Sequence, residues 1–426
     1  MAKLIKFPKE HKIPTNWKWV KLGNYIKTKT GYPFDSKRFS KKSEGLNGLI
    51  RIRDIVRGYT ETFTDEECTE DYIIHKGDML IGMDGDFNIA KWNSSDAFLN
   101  QRVCLIKSNS KNLLNDFLFY YLPYPLESIN ETTPSMTVKH LSTKTLEQIP
   151  FPLPPLAEQE RIVNKLDNYI SKLDEAKEKL EKVVDTYNYR KNLILHRAFT
   201  GQLTKNWRKE NNISFDNWKE FLFKDVLLPM TSKKPTGEYF RYIDIDSIDN
   251  EFQEVKEPKY IQTEKASSRA NRELKTGDVI FSLVRPYLRN IAFIDETLSD
   301  CIASTGFYVC RANKKIIPEY LYKFLCFDKT IGYLNKFMRG FNSPSIRNND
   351  LLNMPIPLPP LEEQKEIVKI LDSILSKEKQ VKEIAEKEIE RVEDLKKNLL
   401  TRAFGGVLGT NDPNEENSIE LLKTVL

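Results

Sequence analysis

The chain has 426 residues, and its 66 Lys and Arg side chains exceed its 61 Asp and Glu side chains, which gives a formal net charge of +5. This length accommodates two or three domains of ordinary size. With 40% hydrophobic and 30% charged residues, the composition is typical of a folded, soluble protein and disfavours an intrinsically disordered chain. The charge excess is too small to indicate a polyanionic partner by itself.

Three further classes of protein are disfavoured by the sequence. Because no run of about eighteen apolar residues occurs, we expect neither a signal peptide nor a membrane span, and predict a cytoplasmic protein. The five cysteines are scattered and form no Cys-x-x-Cys pair, which favours reduced thiols over a disulfide scaffold or a zinc site. The four histidines are poor material for a metal centre, and we predict no metal site.

Residues 1–150 predict a mixed α+β domain. Short β-type runs such as Leu49–Ile52 and Val103–Ile106 are broken by Gly, Asn and Asp, and Asn115–Leu122 predicts a helix. Basic side chains concentrate between Lys27 and Gly58, as in a loop that meets a phosphate backbone. Because charge runs are more often solvated faces, this pattern alone leaves both interpretations open.

Acidic residues of the same domain raise two alternatives to a binding role. Asp84 and Asp86 flank Gly85 and could form a catalytic carboxylate pair. As an isolated pair they favour instead a turn whose oxygens accept hydrogen bonds, for instance from a cytosine amino group. The acidic stretch Asp65–Asp71 favours a solvated loop over a metal site.

Residues 151–204 predict a stiff connector. Its first part is the segment Pro152–Gln159, which we call Pro-box 1 and in which Pro154 and Pro155 stiffen the entry. Mostly apolar residues then alternate by four and three positions from Val163 to Ile194, which predicts a heptad seam. We expect one helix over Leu156–Phe199, on the order of 65 Å long, with Gly201 as its stop.

The remainder of the chain repeats this plan after about 205 residues, far beyond the period of a solenoid. Residues 205–355 predict a second α+β domain, with strands at Tyr242–Ile245 and Phe307–Cys310 and a helix at Pro318–Phe327. The segment Pro357–Gln364, Pro-box 2, repeats Pro-box 1 almost residue for residue. The second connector, residues 356–404, ends like the first in Arg-Ala-Phe, and a tail of residues 405–426 follows.

The two connectors are more alike than the two domains. The seam of the second connector is interrupted at Glu378 and Lys382, and polar residues on a seam help to fix the register of a specific helix pair. The domains match faintly, for example where Pro134-Ser135 returns as Pro344-Ser345. Diverged domains between similar connectors indicate two different targets and one kind of partner bound twice.

Connectivity predicts how the helices run. If the helices pack side by side, the second must return along the first, so that the pair is antiparallel and the two domains are related by an approximate twofold axis. The C-terminal end then lies near the N-terminus. A helical hairpin inside one domain remains the alternative at this stage, and the tail could either pack on the first domain or be disordered.

No catalytic motif accompanies this architecture. The sequence contains neither a Gly-x-x-x-x-Gly-Lys phosphate loop nor a Gly-x-Gly-x-x-Gly segment. It also lacks the Asn/Asp-Pro-Pro-aromatic tetrapeptide with which amino-methyltransferases hold a base amine. The residues therefore favour a binding protein, while an enzyme with its own DNA methyltransferase or nuclease activity and a coiled-coil scaffold without a nucleic-acid role remain alternatives.

The chain resembles the specificity subunits of type I restriction–modification systems over nearly its whole length. The resemblance rests on the two Pro-boxes, the heptad helices and the Arg-Ala-Phe endings. Within the domains, it rests on Met83–Phe87 with Asn100–Val103, and on Ser304–Phe307.

The resemblance implies an α+β fold in which two tandem target-recognition domains are separated by two long antiparallel coiled-coil helices. Each domain would read one half of a bipartite, asymmetric site in double-stranded DNA, and the helices would set the spacer. The connectors would dock two methyltransferase subunits, which carry S-adenosylmethionine, and two motor–nuclease subunits using ATP and Mg²⁺ would complete a restriction complex. The chain itself would be non-catalytic and bind no cofactor.

The candidate residues follow from the basic loops, from polar side chains that suit base edges, and from the two Pro-boxes. The candidate DNA-binding residues are Lys29, Tyr32, Arg38, Lys42, Asp84, Asp86, Phe87, Lys91, Gln101, Arg102, Ser135, Lys233, Lys234, Arg285, Tyr287, Arg289, Thr305, Arg339, Asn342, Ser345 and Arg347. The candidate partner-binding residues are Pro154, Pro155, Leu156, Gln159, Pro359, Pro360, Leu361 and Gln364.

Overall fold

The computed structural model describes residues 12–133, 139–409 and 411, and the chain divides into two compact units. Unit 1 contains the described residues up to Lys179 and those from Glu388 onward, and unit 2 is Leu180–Lys387. Each long connector therefore contributes one part to each unit. None of the helices in the described part of the chain is long and apolar enough to cross a membrane.

Unit 1 contains a domain of short strands and helices that is followed by the first long helix. Its strands are β1 Lys18–Lys21, β2 Ile26–Thr30, β3 Phe39–Ser40, β4 Asn47–Ile50, β5 Phe63–Thr64, β6 Ile73–Ile74, β7 Met79–Gly82, β8 Ile89–Lys91, β9 Ala97–Leu99, β10 Val103–Ser108 and β11 Pro150–Leu153. Its helices are α1 Ile52–Arg57, α2 Asn115–Tyr121, α3 Pro123–Thr132, α4 Thr143–Glu147 and the first part of α5 Leu156–Asp185.

Unit 2 repeats this arrangement. Its helices are α6 Tyr187–Phe199, α7 Lys205–Glu210, α8 Pro318–Leu325, α9 Asp328–Asn335, α10 Asn348–Leu352 and the first part of α11 Leu361–Phe404. Its strands are β12 Lys219–Leu222, β13 Leu227–Leu228, β14 Tyr239–Ile243, β15 Ile248–Asp249, β16 Glu254–Val255, β17 Lys259–Gln262, β18 Ala270–Glu273, β19 Val279–Ser282, β20 Ile291–Phe293, β21 Ile302–Ser304, β22 Phe307–Ala312 and β23 Pro355–Leu358.

The two units share one sheet topology. The antiparallel order β2-β10-β7-β8 in unit 1 corresponds to β13-β22-β19-β20 in unit 2, and the pair β1-β11 corresponds to β12-β23. In the remaining sheet, β4 runs parallel to β9 as β14 runs parallel to β21. The predicted α+β repeat is confirmed. One detail differs, since the expected strand at Leu49–Ile52 ends at Ile50 and α1 begins at Ile52.

The long helices pair in antiparallel fashion within each unit. In unit 1, Asp174 and Lys177 of α5 form ion pairs of 2.5 and 2.7 Å with Lys396 and Glu393 of α11. Residue numbers rise along one helix as they fall along the other, which defines the antiparallel direction. The predicted seam is confirmed: Val163 and Leu166 are buried, as is Tyr187 in unit 2.

The first connector is broken where one continuous helix was predicted. Helix α5 ends at Asp185, α6 begins at Tyr187, and Thr186 lies between them. The Thr186 hydroxyl donates a hydrogen bond of 2.6 Å to the carbonyl of Lys182, a back-bond that bends helices. The second connector, whose seam is less regular, forms the single 44-residue helix α11.

The two polar interruptions of that seam are ion-paired inside unit 2. Glu378 accepts a 2.7 Å hydrogen bond from the Arg190 guanidinium, while the Lys382 side chain, 6% exposed, pairs with Glu251 and Glu386. The ammonium of Lys382 also lies 5.1 Å from the centre of the Phe252 ring. The seam lysine therefore fastens the loop that carries Glu251 and Phe252 to the helix.

Each Arg-Ala-Phe ending places its phenylalanine in a domain core. Phe199 packs at 5.3 Å from Tyr320 and 5.1 Å from Phe324 in unit 2, and Phe404 packs at 5.2 Å from Phe117 and 5.1 Å from Tyr121 in unit 1. The end of the second repeat therefore returns to the first domain, as the connectivity predicted.

A glycine follows each of these endings. Gly201 and Gly406 have φ of +72° and +73°, a left-handed conformation that glycine adopts without strain. A Cβ at Gly406 would lie 2.2 Å from the Pro14 ring, so this close approach also requires glycine. Beyond it, the Lys165 ammonium donates to the Leu408 carbonyl at 2.8 Å, which places the beginning of the tail on unit 1.

The cysteines stay apart from one another. All five are free thiols, and four of them are buried: Cys104, Cys301, Cys310 and Cys326. Burial raises the pKa of Cys104 to about 12 and that of Cys301 to about 11. These thiols therefore remain protonated and poorly nucleophilic near neutral pH.

Candidate nucleic-acid interface

A polar cluster forms in unit 1 where the turn after β7 meets two other segments. Asp84 lies on this turn; its carboxylate is 2.7 Å from Nδ1 of His140 and 3.5 Å from Nε of Arg102. The Asp84 side chain is 19% exposed, whereas those of His140 and Arg102 are 55% and 57% exposed. The half-buried carboxylate thus lies between two exposed side chains that can donate hydrogen bonds.

Backbone pairing holds these segments together. Met83 donates to the Arg102 carbonyl at 3.0 Å, and Leu141 donates to the Met83 carbonyl at 2.7 Å. Gly85, at φ +80°, completes the turn and donates to the Lys139 carbonyl at 3.0 Å. The cluster is consequently built on the ends of strands, which gives its side chains fixed positions.

A cleft of about 520 Å³ opens beside this cluster. Its walls include the rings of Phe34 and Phe39 and the side chains of Arg51, Arg53, Gln101 and Arg102. The Arg51 guanidinium lies 5.9 Å from the centre of the Phe39 ring. Cationic groups over apolar walls suit a partner that carries both phosphates and aromatic rings.

Two predicted DNA contacts of unit 1 are neutralised by the acidic stretch Asp65–Asp71. Lys29 lies 3.2 Å from Asp71 and 4.2 Å from the centre of the Tyr72 ring, while Arg38 donates to Asp65 at 2.7 Å. The hydrogen bond from Arg38 lowers the pKa of Asp65. The stretch is a partner of basic residues; within the described ranges, no three His, Cys, Asp or Glu side chains converge as metal ligands.

Two other candidates do not belong to the cluster. Phe87 is 2% exposed and belongs to the hydrophobic core, which corrects its prediction as a DNA contact because a buried ring offers no surface. Lys91 pairs opposite Met79 at the end of the β7–β8 hairpin that is far from the turn, and its ammonium contacts Asp116 at 2.6 Å.

The other candidates of the first domain have varied surroundings. Tyr32 packs edge-on against Phe34 and Tyr72, with ring centres 4.9 and 5.6 Å apart. Lys42, Asp86 and Gln101 are exposed on loops. Ser135 lies outside the described residues.

Unit 2 presents a different set of side chains on the equivalent turn. Arg285 follows β19 on this turn, its backbone N–H donates to Pro344 at 2.7 Å, and its guanidinium donates to the Asn342 carbonyl at 2.9 Å. The turn and the loop Arg339–Arg347 therefore form one surface. The candidates that this surface brings together are Arg285, Tyr287, Arg339, Asn342, Ser345 and Arg347.

Two arginines of this unit are engaged by carboxylates. Arg339 donates to both oxygens of Asp350, at 2.6 and 3.3 Å, and this contact lowers the pKa of Asp350. Arg289 contacts Asp328 and the Cys326 carbonyl, and burial lowers its pKa. Arg289 thus has an internal ion pair, and a DNA contact of its side chain stays a prediction.

The last candidates of unit 2 lie outside this surface or at its edge. Thr305 is half-buried, and its backbone N–H donates to the Arg269 carbonyl at 2.8 Å. Lys233 and Lys234 are exposed beside β18, where the Lys233 backbone N–H donates to the Asn271 carbonyl at 3.3 Å.

The structure corrects the alignment of the two domains at one place. Asp84 bridges His140 in unit 1 just as Val284 bridges Ser345 in unit 2. The structural counterpart of Ser345 is therefore His140, whereas the sequence match suggested Ser135. Sequence reasoning missed His140 because a single histidine in a diverged loop carries no pattern; its pairing with Asp84 emerges only when the chain folds.

Most residues of the two Pro-boxes are internal, and docking by their more exposed side chains stays a prediction. Pro154, Pro155 and Pro359 are buried, and Gln159 and Gln364 are each 0% exposed. Leu156 and Pro360 are half-buried, and Leu361 is 43% exposed.

The two glutamines make the same three hydrogen bonds in their own units. Gln159 accepts from Leu114 N–H at 2.9 Å and donates to the carbonyls of Asn112 and Pro154 at 2.8 and 3.0 Å. Gln364 accepts from Ile317 N–H at 2.9 Å and donates to the carbonyls of Lys315 and Pro359 at 3.0 and 2.9 Å. Each glutamine therefore locks a helix start onto its domain.

The glutamate that precedes each of these glutamines, Glu158 or Glu363, forms further buried hydrogen bonds. Glu363 is 0% exposed and accepts from Arg208 at 2.5 Å, from Thr204 at 2.6 Å and from the Trp218 indole at 3.0 Å. Glu158 is also 0% exposed and accepts from Arg161 at 2.5 Å and from the Asn411 backbone at 3.0 Å. A buried carboxylate is stable here because its oxygens are fully engaged.

Comparison with known proteins agrees with this architecture. The family model described as "Type I restriction modification DNA specificity domain" matches residues 14–185 and again 216–391. The EcoBI specificity subunit of Escherichia coli is 30% identical over 93% of this chain and 87% of its own length. The MjaVIII specificity subunit of Methanocaldococcus jannaschii is 25% identical over 95% of each chain.

Solved structures show the same fold. A chain from work on complex assembly and conformational transition of the type I R-M system superposes with a TM-score of 0.69, at 19% identity over 93% of this chain and 100% of that one. The HsdS subunit from Thermoanaerobacter tengcongensis superposes with a TM-score of 0.54, at 18% identity over 93% and 98% of the two chains.

The fold and its duplicated recognition domains define a type I restriction–modification specificity subunit. The chain belongs to this family, because the family model matches both halves and a curated member is 30% identical over nearly the whole length. Members of the family are named specificity subunits and are non-catalytic, so the chain is not itself an enzyme. Membership fits a role in DNA target recognition.

Proposed function

We propose that this chain directs a type I restriction–modification complex to a bipartite, asymmetric site in double-stranded DNA, with each unit reading one half. The observation that carries the proposal is the contrast between a common frame and different side chains. Equivalent turns present Asp84 with His140 and Arg102 in unit 1, but Arg285 in unit 2. Different donors and acceptors on one frame suit different base edges.

The proposed readout divides between phosphates and bases. Arginine forks such as those of Arg102, Arg285 and Arg347 suit guanine edges or phosphates, and the amide groups of Gln101 and Asn342 suit adenine. The exposed lysines Lys42, Lys233 and Lys234 would position the DNA backbone.

The helical connectors would set the spacer and bind two methyltransferase subunits. Exposed apolar side chains on the helices of each unit support this docking. They are Tyr169 and Leu395 in unit 1, and Tyr189, Leu193, Val381 and Ile384 in unit 2. S-adenosylmethionine would belong to the methyltransferase partner, and ATP and Mg²⁺ to two motor–nuclease subunits, in a complex that works in the cytoplasm.

Footprinting of the complex with its methyltransferase partner tests this function. We expect two protected half-sites separated by an insensitive gap. Arg102→Ala should weaken protection of one half-site and Arg285→Ala that of the other, each by about 10- to 100-fold in affinity. Lys91→Ala is the matched control, because Lys91 is paired with Asp116 away from the cluster. One continuous protected site would contradict the proposal.

A further inference from the structure

One large aromatic side chain of unit 2 is fully exposed on the proposed DNA-reading surface. Phe341 is 100% exposed, on the loop between Arg339 and Ser345. The neighbouring turn exposes Tyr287 and Leu288 as well, by 44% and 37%. A phenylalanine held in water is unfavourable, and no fold contact of the described residues accounts for its position.

The loop that carries Phe341 is braced rather than loose. Arg339 and Ser345 exchange two backbone hydrogen bonds of 2.9 Å, which close the loop at its base. Gly340, at φ +96°, supplies the left-handed turn, and the Arg285 guanidinium holds the Asn342 carbonyl at 2.9 Å. The ring is therefore presented outward by a fixed backbone.

The charge around this ring points to a polyanion. Arg285, Arg339 and Arg347 surround the loop, and Asp350 is the carboxylate that engages Arg339 in two hydrogen bonds. Asp350 also accepts a 2.8 Å hydrogen bond from the Arg347 backbone. Arg285 and Arg347 are exposed, and the Arg285 guanidinium keeps further N–H donors for phosphates beside its bond to the Asn342 carbonyl. A membrane or an acidic protein surface would use these charges, but a fully exposed aromatic ring among them suits stacked bases best.

We propose that Phe341 inserts as a wedge between two adjacent base pairs of the half-site read by unit 2. The inference rests on the proposed function and deepens it. Insertion of an apolar ring partly unstacks one base step, while the neighbouring arginines hold the flanking phosphates. Pyrimidine–purine steps unstack most easily, so the wedge favours such a step without a hydrogen bond to its bases.

Fluorescence of 2-aminopurine, placed in turn at each position of both half-sites, tests the wedge in the complex with the methyltransferase partner. We expect the wild-type complex to raise fluorescence at one step of the half-site read by unit 2. Phe341→Ala should abolish this rise and weaken binding by about 10-fold or more. Phe341→Trp should retain it, because a larger ring still stacks.

Controls separate this inference from the proposed function. Leu288→Ala removes an exposed apolar side chain from the adjacent turn and should leave the fluorescence rise in place. Because Phe341 is fully exposed, the unfolding temperature of Phe341→Ala should match that of the wild type. If the footprint keeps two half-sites but Phe341→Ala binds DNA normally, the wedge is wrong and the function stands. If Phe341→Ala loses the methyltransferase partner, Phe341 contacts protein instead; if the wild-type complex protects no half-site, both proposals fail.

Discussion

Gln364 is a fully buried residue of Pro-box 2, and its role there is to form hydrogen bonds inside unit 2. Its buried amide satisfies one backbone N–H and two carbonyls that would otherwise lack partners inside unit 2. Gln159 does the same in unit 1. The repetition of the Pro-box is therefore explained by a shared internal connection between domain and helix.

We expect Gln364→Ala to lower the free energy of unfolding by about 2–4 kcal/mol, because it leaves buried polar groups without partners. Denaturant unfolding of the full chain measures the change. Glu362→Gln is the matched control, since the Glu362 side chain is 71% exposed and pairs with Lys365 at 2.8 Å; it should change stability by less than about 0.5 kcal/mol. A stable Gln364→Ala variant that loses its methyltransferase partner would instead support the docking interpretation.

At the scale of elements, the polar residues on the seam of α11 attach this helix to the rest of unit 2 through ion pairs. Lys382 lies on the seam, and burial by itself lowers its pKa, but the hydrogen bond and charge of Glu251, with Glu386, raise the pKa above its ordinary value. An ammonium with a raised pKa contributes stability below the ordinary lysine range, and this contribution is lost as the pH rises through the folded-state pKa.

Two substitutions of Lys382 separate its charge from its packing. We expect Lys382→Ala to destabilise the chain by about 1–3 kcal/mol, because the apolar stem and its contacts with Phe252 and Tyr187 are lost. Lys382→Met should stay within about 1 kcal/mol of the wild type, since a matched apolar side chain often replaces a buried ion pair without loss.

Denaturant unfolding measures the free energy of unfolding of both variants, at neutral pH and at a pH above the ordinary lysine pKa. The exposed Lys387 of the same helix provides a control as Lys387→Ala. A Lys382→Met variant as unstable as Lys382→Ala would show that the charge, rather than the packing, stabilises this contact.

At the scale of the whole molecule, the length of the connectors is expected to set the gap between the two half-sites in DNA. Insertion of one heptad into both α5 and α11 adds about 10 Å of helix, equivalent to about three base pairs. We expect the gap of the recognised site to lengthen while both half-site sequences stay the same, as read by sequencing the methylated sites. Insertion into one helix only breaks the seam register and should abolish activity. Altered half-sites with an unchanged gap would contradict the spacer role.

The sequence by itself determined the duplication, the helices and the family. Heptad spacing and repeated Pro-boxes are local or periodic patterns, so they can be recognised in the sequence without knowledge of the fold. The helix at Asn115–Tyr121 and the strand around Val103 were predicted for the same reason. The break at Thr186 was not, because the back-bond from its hydroxyl to the Lys182 carbonyl depends on a side-chain conformation that the spacing of apolar residues does not show.

Only the tertiary structure decided which candidate side chains are available to a partner. Lys29, Arg38 and Lys91 meet carboxylates that are 25 to 42 residues away in sequence, and Phe87 enters the core. The pairing of Asp84 with His140 spans 56 residues. Charge and polarity can be read residue by residue, but exposure and pairing depend on contacts between distant segments, which no local pattern encodes.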